Sequence, residues 1–158
     1  MDLPAVPWAQ AVKAAPDLAA AVLSRLTATK HHVLATLRAD GSPRVSGTEV
    51  AMVDGELRLG SMPGAARARD LLADPRCAVH ANPGDGSMQG GDAKLDAVAE
   101  PLTSQETAAW AADLPEEVAS MHAFRLLVVR LVLTEVGEAG LMVTSWTSQR
   151  GVRAVTRA

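Results

Sequence analysis

The sequence predicts a mainly β fold of the α+β class: a small antiparallel barrel of six to seven strands with peripheral helices. Three observations predict it. Two Asp-Gly pairs, Asp40-Gly41 and Asp54-Gly55, separate strand-like runs and mark consecutive hairpins. Further short apolar runs recur at close spacing without the regular helix–strand alternation of a parallel sheet. The length, 158 residues, suits one domain and suffices to bury a core unaided.

The elements follow in order. Residues 1–29 read as an N-terminal helical segment. Within it, 17–26 (DLAAAVLSRL) puts Leu18, Val22 and Leu26 on one helical face, with Pro16 suited to the first turn. Residues 31–38 (HHVLATLR) read as a strand, 43–53 as its returning partner after the first Asp-Gly turn, and 56–61 as a third strand after the second. A turn at 61–64 (SMPG) opens a short helix whose apolar face is Ala65, Ala68, Leu71 and Leu72, and Asp74-Pro75 ends it. Residues 76–81 read as a fourth strand, 82–91 (NPGDGSMQGG) as a glycine-rich loop and 94–102 as a fifth strand. Thr103-Ser104-Gln105-Glu106 has the form of a capping box opening a helix that holds Trp110, with a further helical turn at 115–121.

The run 124–136 (FRLLVVRLVLTEV) is the strongest strand signal. It is apolar at both parities from Leu126 to Val129, so part of it is covered on both faces, and a second subunit is one candidate cover. Residues 141–147 (LMVTSWT) are the last expected strand. The remainder, 149–158, reads as a basic tail: no acidic residue follows Glu138, while Arg150, Arg153 and Arg157 do. Such a tail is either a solvated end or a contact for a phosphate or polyanion.

Composition excludes several classes. Apolar residues make up 48% and charged residues 21%, a globular balance. The formal net charge is -3 and aromatics are sparse, which argues against a nucleic-acid partner. Cys77 is the only cysteine, so no internal disulfide forms, and its apolar surroundings suit a small buried thiol. The N-terminus lacks the features of a signal peptide and no run reaches the ~18 apolar residues of a membrane helix. A soluble cytoplasmic protein without a membrane partner is expected. His31 and His32 are neighbours on a strand and face opposite ways; with His80 and His122 isolated, no metal-ligand spacing arises. Ser46, Ser61 and Ser145 lie outside any nucleophile motif, and Gly60 and Gly64 match no dinucleotide or P-loop pattern. No side chain is singled out as a general acid or base.

Chemistry concentrates at 57–76, LRLGSMPGAARARDLLADPR. A strand runs into a small-residue turn and then a helix start, whose free N–H groups and nearby arginines suit a phosphate. Arg67 and Arg69 lie about 200° apart on that helix at ~100° per residue, so they need not serve one ligand. They are either phosphate contacts or surface charges paired with Asp70 or Asp74. Trp146 is either a core residue or a flat wall for a planar group.

Four segments in this order, DGSPRVS, DGELRLGS, ARARDLLADPRCAV and SWTSQRGVRAV, resemble the pyridoxamine 5′-phosphate oxidase-like split β-barrel proteins. That superfamily includes the flavin/deazaflavin oxidoreductases, and the resemblance runs from about residue 30 to 157. It implies a split β-barrel homodimer with the cofactor at the subunit interface, against the strand after the first hairpin turn. By resemblance, Val45, Ser46, Gly47 and Thr48 line the isoalloxazine edge, the Ser61 hydroxyl meets the cofactor phosphate, and Arg67 binds that phosphate with Arg69 as a helper. Trp146 and Arg150 or Arg153 then match C-terminal residues that reach the cofactor, often from the neighbouring subunit. The implied cofactor is FMN, with the 8-hydroxy-5-deazaflavin coenzyme as the alternative. Haem is a third option, with His31, His32, His80 or His122 as axial ligand. The implied activity is hydride transfer between the cofactor and a small organic substrate; the alternative is a non-catalytic flavin- or haem-binding module. Pyridoxamine phosphate oxidases proper carry further basic residues on the second strand of the hairpin. The corresponding positions here are Ser46 and Ala51, which points away from vitamin B6 oxidation.

Overall fold

One stretch of chain changes partners midway, and that change closes the barrel. The computed structural model describes residues 4–84, 86–116 and 120–157. Its strands are β1 (His32–Leu37), β2 (Pro43–Thr48), β3 (Val50–Val53), β4 (Glu56–Ser61), β5 (Arg76–His80), β6 (Asp92–Pro101), β7 (His122–Gly137), β8 (Gly140–Thr147) and β9 (Gly151–Arg157). Its helices are α1 (Trp8–Ala14), α2 (Pro16–Thr27), α3 (Ala66–Ala73) and α4 (Ser104–Ala111). The sheet path is β2-β1-β5-β6-β7-β4-β3, with β8 on β7 and β9 on β8. All pairings are antiparallel. The expected single strand over 43–53 is therefore two: β2 pairs with β1 and β3 with β4. The two ends of the path are joined through Glu49, so the barrel closes through the chain itself rather than through a ladder, and it is split at that corner.

His32 secures the corner. It is 3% exposed. Its Nδ1 accepts from the Val50 N–H at 3.1 Å, and its Nε2 lies 2.6 Å from the Leu26 carbonyl oxygen. An accepting Nδ1 requires the neutral ring with its proton on Nε2, which then donates to Leu26. Leu26 is in the last turn of α2, where carbonyls lack helical partners. One imidazole thus joins α2, β1 and the first residue of β3. His31 and His32 face opposite ways as expected, His31 being exposed.

Leu18, Ala19, Val22 and Leu26 form the buried face of α2, which packs on β6 and β7. Leu34, Leu57, Leu59, Val79, Leu95, Phe124, Leu126 and Leu131 fill the barrel. α1 lies within the expected N-terminal helical segment as a separate helix of seven residues, too short to display a helical period of its own, yet Trp8 and Ala11 are buried. Just before it, Val6 and Val128 exchange backbone hydrogen bonds of 2.9 and 2.7 Å.

The double parity of the β7 signal has an intramolecular cause. The register shifts between Asp96 and Ala97, which pair with Arg130 and Val128, leaving Val129 as the extra residue. The inward set changes from Leu126 and Val128 to Leu131 and Leu133 across this bulge. The chain's own α1 and α2 lie against the strand.

Among the described residues the strand count is nine rather than six to seven, because 43–53 divides and because the basic tail is itself a strand. β9 pairs with β8 along its length, from Thr147↔Gly151 to Leu141↔Arg157. Its two valines, Val152 and Val155, lie three apart and so mark no single strand face, which left the segment to read as basic tail. The capping box at Thr103 is present in both directions. The helical turn expected at 115–121 falls partly on 117–119, outside the described residues.

Replacing His32 with alanine strips partners from a buried N–H and a helix-end carbonyl. The expected loss is about 2–6 kcal/mol of unfolding free energy, at about 1–3 kcal/mol per orphaned group. Urea denaturation measures it, and a loss below about 0.5 kcal/mol would show that the two bonds do not hold the corner.

Candidate functional site

A groove of about 600 Å³ opens at the split corner, a volume suited to a small molecule. One side is built from Lys30 and His31, from Gly47, Thr48, Glu49 and Ala51, and from the β4–α3 turn with Gly60, Ser61, Met62 and Arg67. Trp110 of α4, with Leu114, Pro115 and Met121 beyond it, completes the lining.

Arg67 organises the first side. Gly64, at φ +72°, lets the chain turn from β4 into α3. This brings Arg67 back over the end of β4, where Nε donates to Ser61 Oγ at 3.1 Å and Nη1 donates to the Gly47 carbonyl. Among the described residues Arg67 has no carboxylate partner. No side chain caps the start of α3, in contrast to α4. Thr48 Oγ1 and Ser46 Oγ are buried without a hydrogen-bond partner among the described residues. An unpaired guanidinium, a serine hydroxyl, an uncapped helix start and an orphaned threonine hydroxyl at the groove form a cradle that fits a phosphate.

The rest of α3 is tied to the barrel by Asp70, which is buried. Its Oδ2 accepts from Arg44 Nε at 2.6 Å and from Thr36 Oγ1 at 2.7 Å. The hydrogen bond from Arg44 holds its carboxyl below the usual carboxylate range against desolvation, with Thr36 helping. Of the two alternatives for the α3 arginines, pairing with Asp70 or Asp74 does not occur: Asp70 belongs to Arg44, Asp74 belongs to Arg76, and Arg69 donates to the Gly64 carbonyl at 3.1 Å on the exposed surface.

Of the expected site residues, the structure brings Gly47, Thr48, Ser61 and Arg67 together. Val45 and Ser46 lie next along β2 but outside the groove lining, and Val45 is 70% exposed. Trp146 is 3% exposed within the hydrophobic core of its own chain, opposite Leu131, away from the groove. Arg150 sits in the β8–β9 turn and Arg153 on exposed β9. Neither lines this groove.

Sequence reasoning did not assign Lys30, Glu49, Trp110, Leu114 or Met121 to the site. Trp110 carried a usable signal, since the capping box placed it on a helix. Glu49 carried none until the partner change was known. Among the described residues no group of three or more His, Cys, Asp or Glu could hold a metal ion, and no helix is long and apolar enough to cross a membrane.

A barrel closed by a partner-changing strand, with an anion cradle at the change, defines a split β-barrel protein. The sequence profile of the pyridoxamine 5'-phosphate oxidase family matches residues 18–149, and the chain belongs to that family. Comparison with curated proteins finds no significant match. Among solved structures, PhzG from Burkholderia lata 383, in complex with tetrahydrophenazine-1-carboxylic acid, is similar at TM-score 0.67 and 13% identity, over 99% of this chain and 94% of that one. A pyridoxamine 5'-phosphate oxidase-related, FMN binding protein from Nostoc punctiforme PCC 73102 is similar at TM-score 0.67 and 13% identity, over 99% of this chain and 100% of that one. A heme binding protein from Mycobacterium smegmatis is similar at TM-score 0.59 and 26% identity, over 82% of this chain and 58% of that one. The first two, at such identities, speak to the fold alone.

Asp70 makes a testable contribution. Its pKa in the folded chain is below the ordinary value of about 3.9, so its stabilisation is complete above that pH and is lost as pH falls through the folded value. Asp70→Asn is expected to be less stable than the parent near neutral pH, and the gap should narrow as urea denaturation is repeated from about pH 5 toward about pH 2. A gap constant with pH would remove the charged carboxylate from the account of how α3 is held.

Proposed function

We propose that the groove binds FMN by its phosphate and that the protein is an FMN-dependent oxidoreductase acting on a small organic substrate. The observation that carries this is Arg67: a guanidinium without a carboxylate partner, fixed on Ser61 and Gly47 beside an uncapped helix start. When bound, the flavin supplies hydride transfer. The chain supplies the rest. Arg67 neutralises phosphate charge, Ser61 and the first N–H groups of α3 hydrogen-bond to its oxygens, and Thr48 Oγ1 offers a donor that otherwise has no partner. Gly47, bare of a side chain, lets a flat group lie against the β2 backbone.

The 8-hydroxy-5-deazaflavin coenzyme also carries a phosphate beside a tricyclic ring, and the same cradle suits it. A second reading, a non-catalytic flavin- or haem-binding module, is favoured by one observation: His31 lines the groove and is exposed there. Absorption spectra of the purified protein with each cofactor separate the three, because their bands differ.

The β8–β9 hairpin supports a homodimer. Every described residue of β9 is exposed, and Leu141, Met142, Val152 and Val155 leave apolar area open on the hairpin. A second copy would cover it and carry Arg150 or Arg153 to the neighbouring groove. Trp146, already packed in its own core, is not free for that role.

Arg67→Ala should weaken FMN binding by about 1.5–3 kcal/mol, the worth of a charged hydrogen bond. Unchanged affinity in a fluorescence titration would take Arg67 out of the site. Sedimentation equilibrium should give twice the 16.4 kDa chain mass; a monomer would end the shared-pocket reading.

A further inference from the structure

We infer that the α4 side of the groove is the acceptor subsite and that it takes an uncharged planar ring, excluding phosphorylated or other anionic substrates. This rests on the flavin reading above. The ionisable groups of the described lining all come from other elements: Arg67 from α3, and Lys30, His31 and Glu49 from beside the ends of β1 and β2. The corner charges are largely spent on each other, with Lys30 Nζ and His31 Nδ1 lying 3.5 and 3.7 Å from the same Glu49 Oε1. The α4 side contributes Trp110, Leu114, Pro115 and Met121, which carry no ionisable group.

The two characters meet on adjacent residues of β4. A Cβ built on Gly60 would stand 2.9 Å from Met121 Sδ and 3.8 Å from the Trp110 ring, so indole and thioether lie directly on bare backbone. The next residue, Ser61, accepts from Arg67. A cofactor anchored at Arg67 therefore has an aromatic and sulfur surface beside it. Such a surface offers stacking and dispersion to a flat ring. Its one side-chain donor among the described residues is the Trp110 indole N–H, too little to replace the water an anion would lose. Substrate charge is thus selected against at one end of the groove, while cofactor charge is selected for at the other.

Two probes with the same ring test this: 2-methyl-1,4-naphthoquinone, which is neutral, and 1,4-naphthoquinone-2-sulfonate, which is anionic. Calorimetric titration of the purified protein, with and without oxidised FMN, reads binding directly. The neutral quinone should bind at least about tenfold tighter than the sulfonate, and Trp110→Ala should weaken it by about tenfold. Leu114→Arg, at a half-buried position, should reverse the order of the two probes. Equal binding of both probes, binding of neither, or an unreversed order in Leu114→Arg overturns the inference. If FMN fails to bind while the quinone preference persists, the flavin reading falls and the apolar subsite stands. If FMN binds through Arg67 without a quinone preference, the subsite alone falls.

Discussion

The structure depends on one corner, where residues 48–50 leave β1 and take up β4. A barrel closed by a ladder spreads closure over many backbone hydrogen bonds. Here closure passes through a single residue, Glu49, between the two pairings. Backbone polar groups at such a change need partners of their own, and His32 provides them. An apolar side chain of similar volume would fill the space but could neither accept from Val50 nor donate to Leu26. A buried imidazole is therefore a structural requirement here. Because α2 is fixed by the same ring, the helix covering the barrel and the strand closing it are set together.

The candidate site inherits its geometry from that corner. Gly47 and Thr48 end β2, and Ser61 ends β4. Their proximity follows from the continuity of 43–53 between the two sheet edges. Arg67 then bridges the edges, with Nε on Ser61 and Nη1 on Gly47. Its charge stays available because the nearest acid on α3, Asp70, is held by Arg44 and Thr36. Had Asp70 paired with Arg67, the cradle would be neutral and the helix start would face a compensated pair. The division of partners, Asp70 inward to the barrel and Arg67 to the groove, makes a short helix both anchored and cationic.

Local patterns were legible in the sequence, and non-local ones were not. Both hairpin turns, the α2 face and the capping box at Thr103 follow from spacing, because each depends on residues within a few positions of one another. Ser61 and Arg67 were named as phosphate contacts by the family resemblance, and their hydrogen bond to each other emerges only in the structure. Glu49 looks like any strand residue, since a change of sheet partner leaves no mark on side-chain alternation. Val129 made β7 read as covered on both faces, because a bulge and a doubly buried strand produce the same run of apolar residues. Trp146 had two readings in the sequence, and burial chose the core. Trp110 joins the groove only because α4, over forty residues from β4's end, folds back across Gly60.

How α4 is held bears on the character of that far wall. Its apolar attachment is a small satellite cluster, Leu102, Ala111, Met121 and Ala123, with Trp110 and Leu114 against it. The stronger directional tie is Arg125, whose guanidinium reaches Glu56, Glu100 and Glu106 at 2.6–2.8 Å. Glu106 also accepts from the Thr103 N–H in the capping box. These contacts, the backbone bond first and Arg125 next, lower its pKa to about 2, so it stays ionised through the physiological range. Partly exposed ion pairs of this kind add little net stability, but their geometry is specific. Without Arg125, the carboxylates gathered on one barrel face would repel one another, and Glu106 would draw α4 away from Glu56. The polar clamp therefore lies outside the groove and the apolar residues inside it. Among the described residues, the α4 part of the lining holds its position without an ionisable side chain.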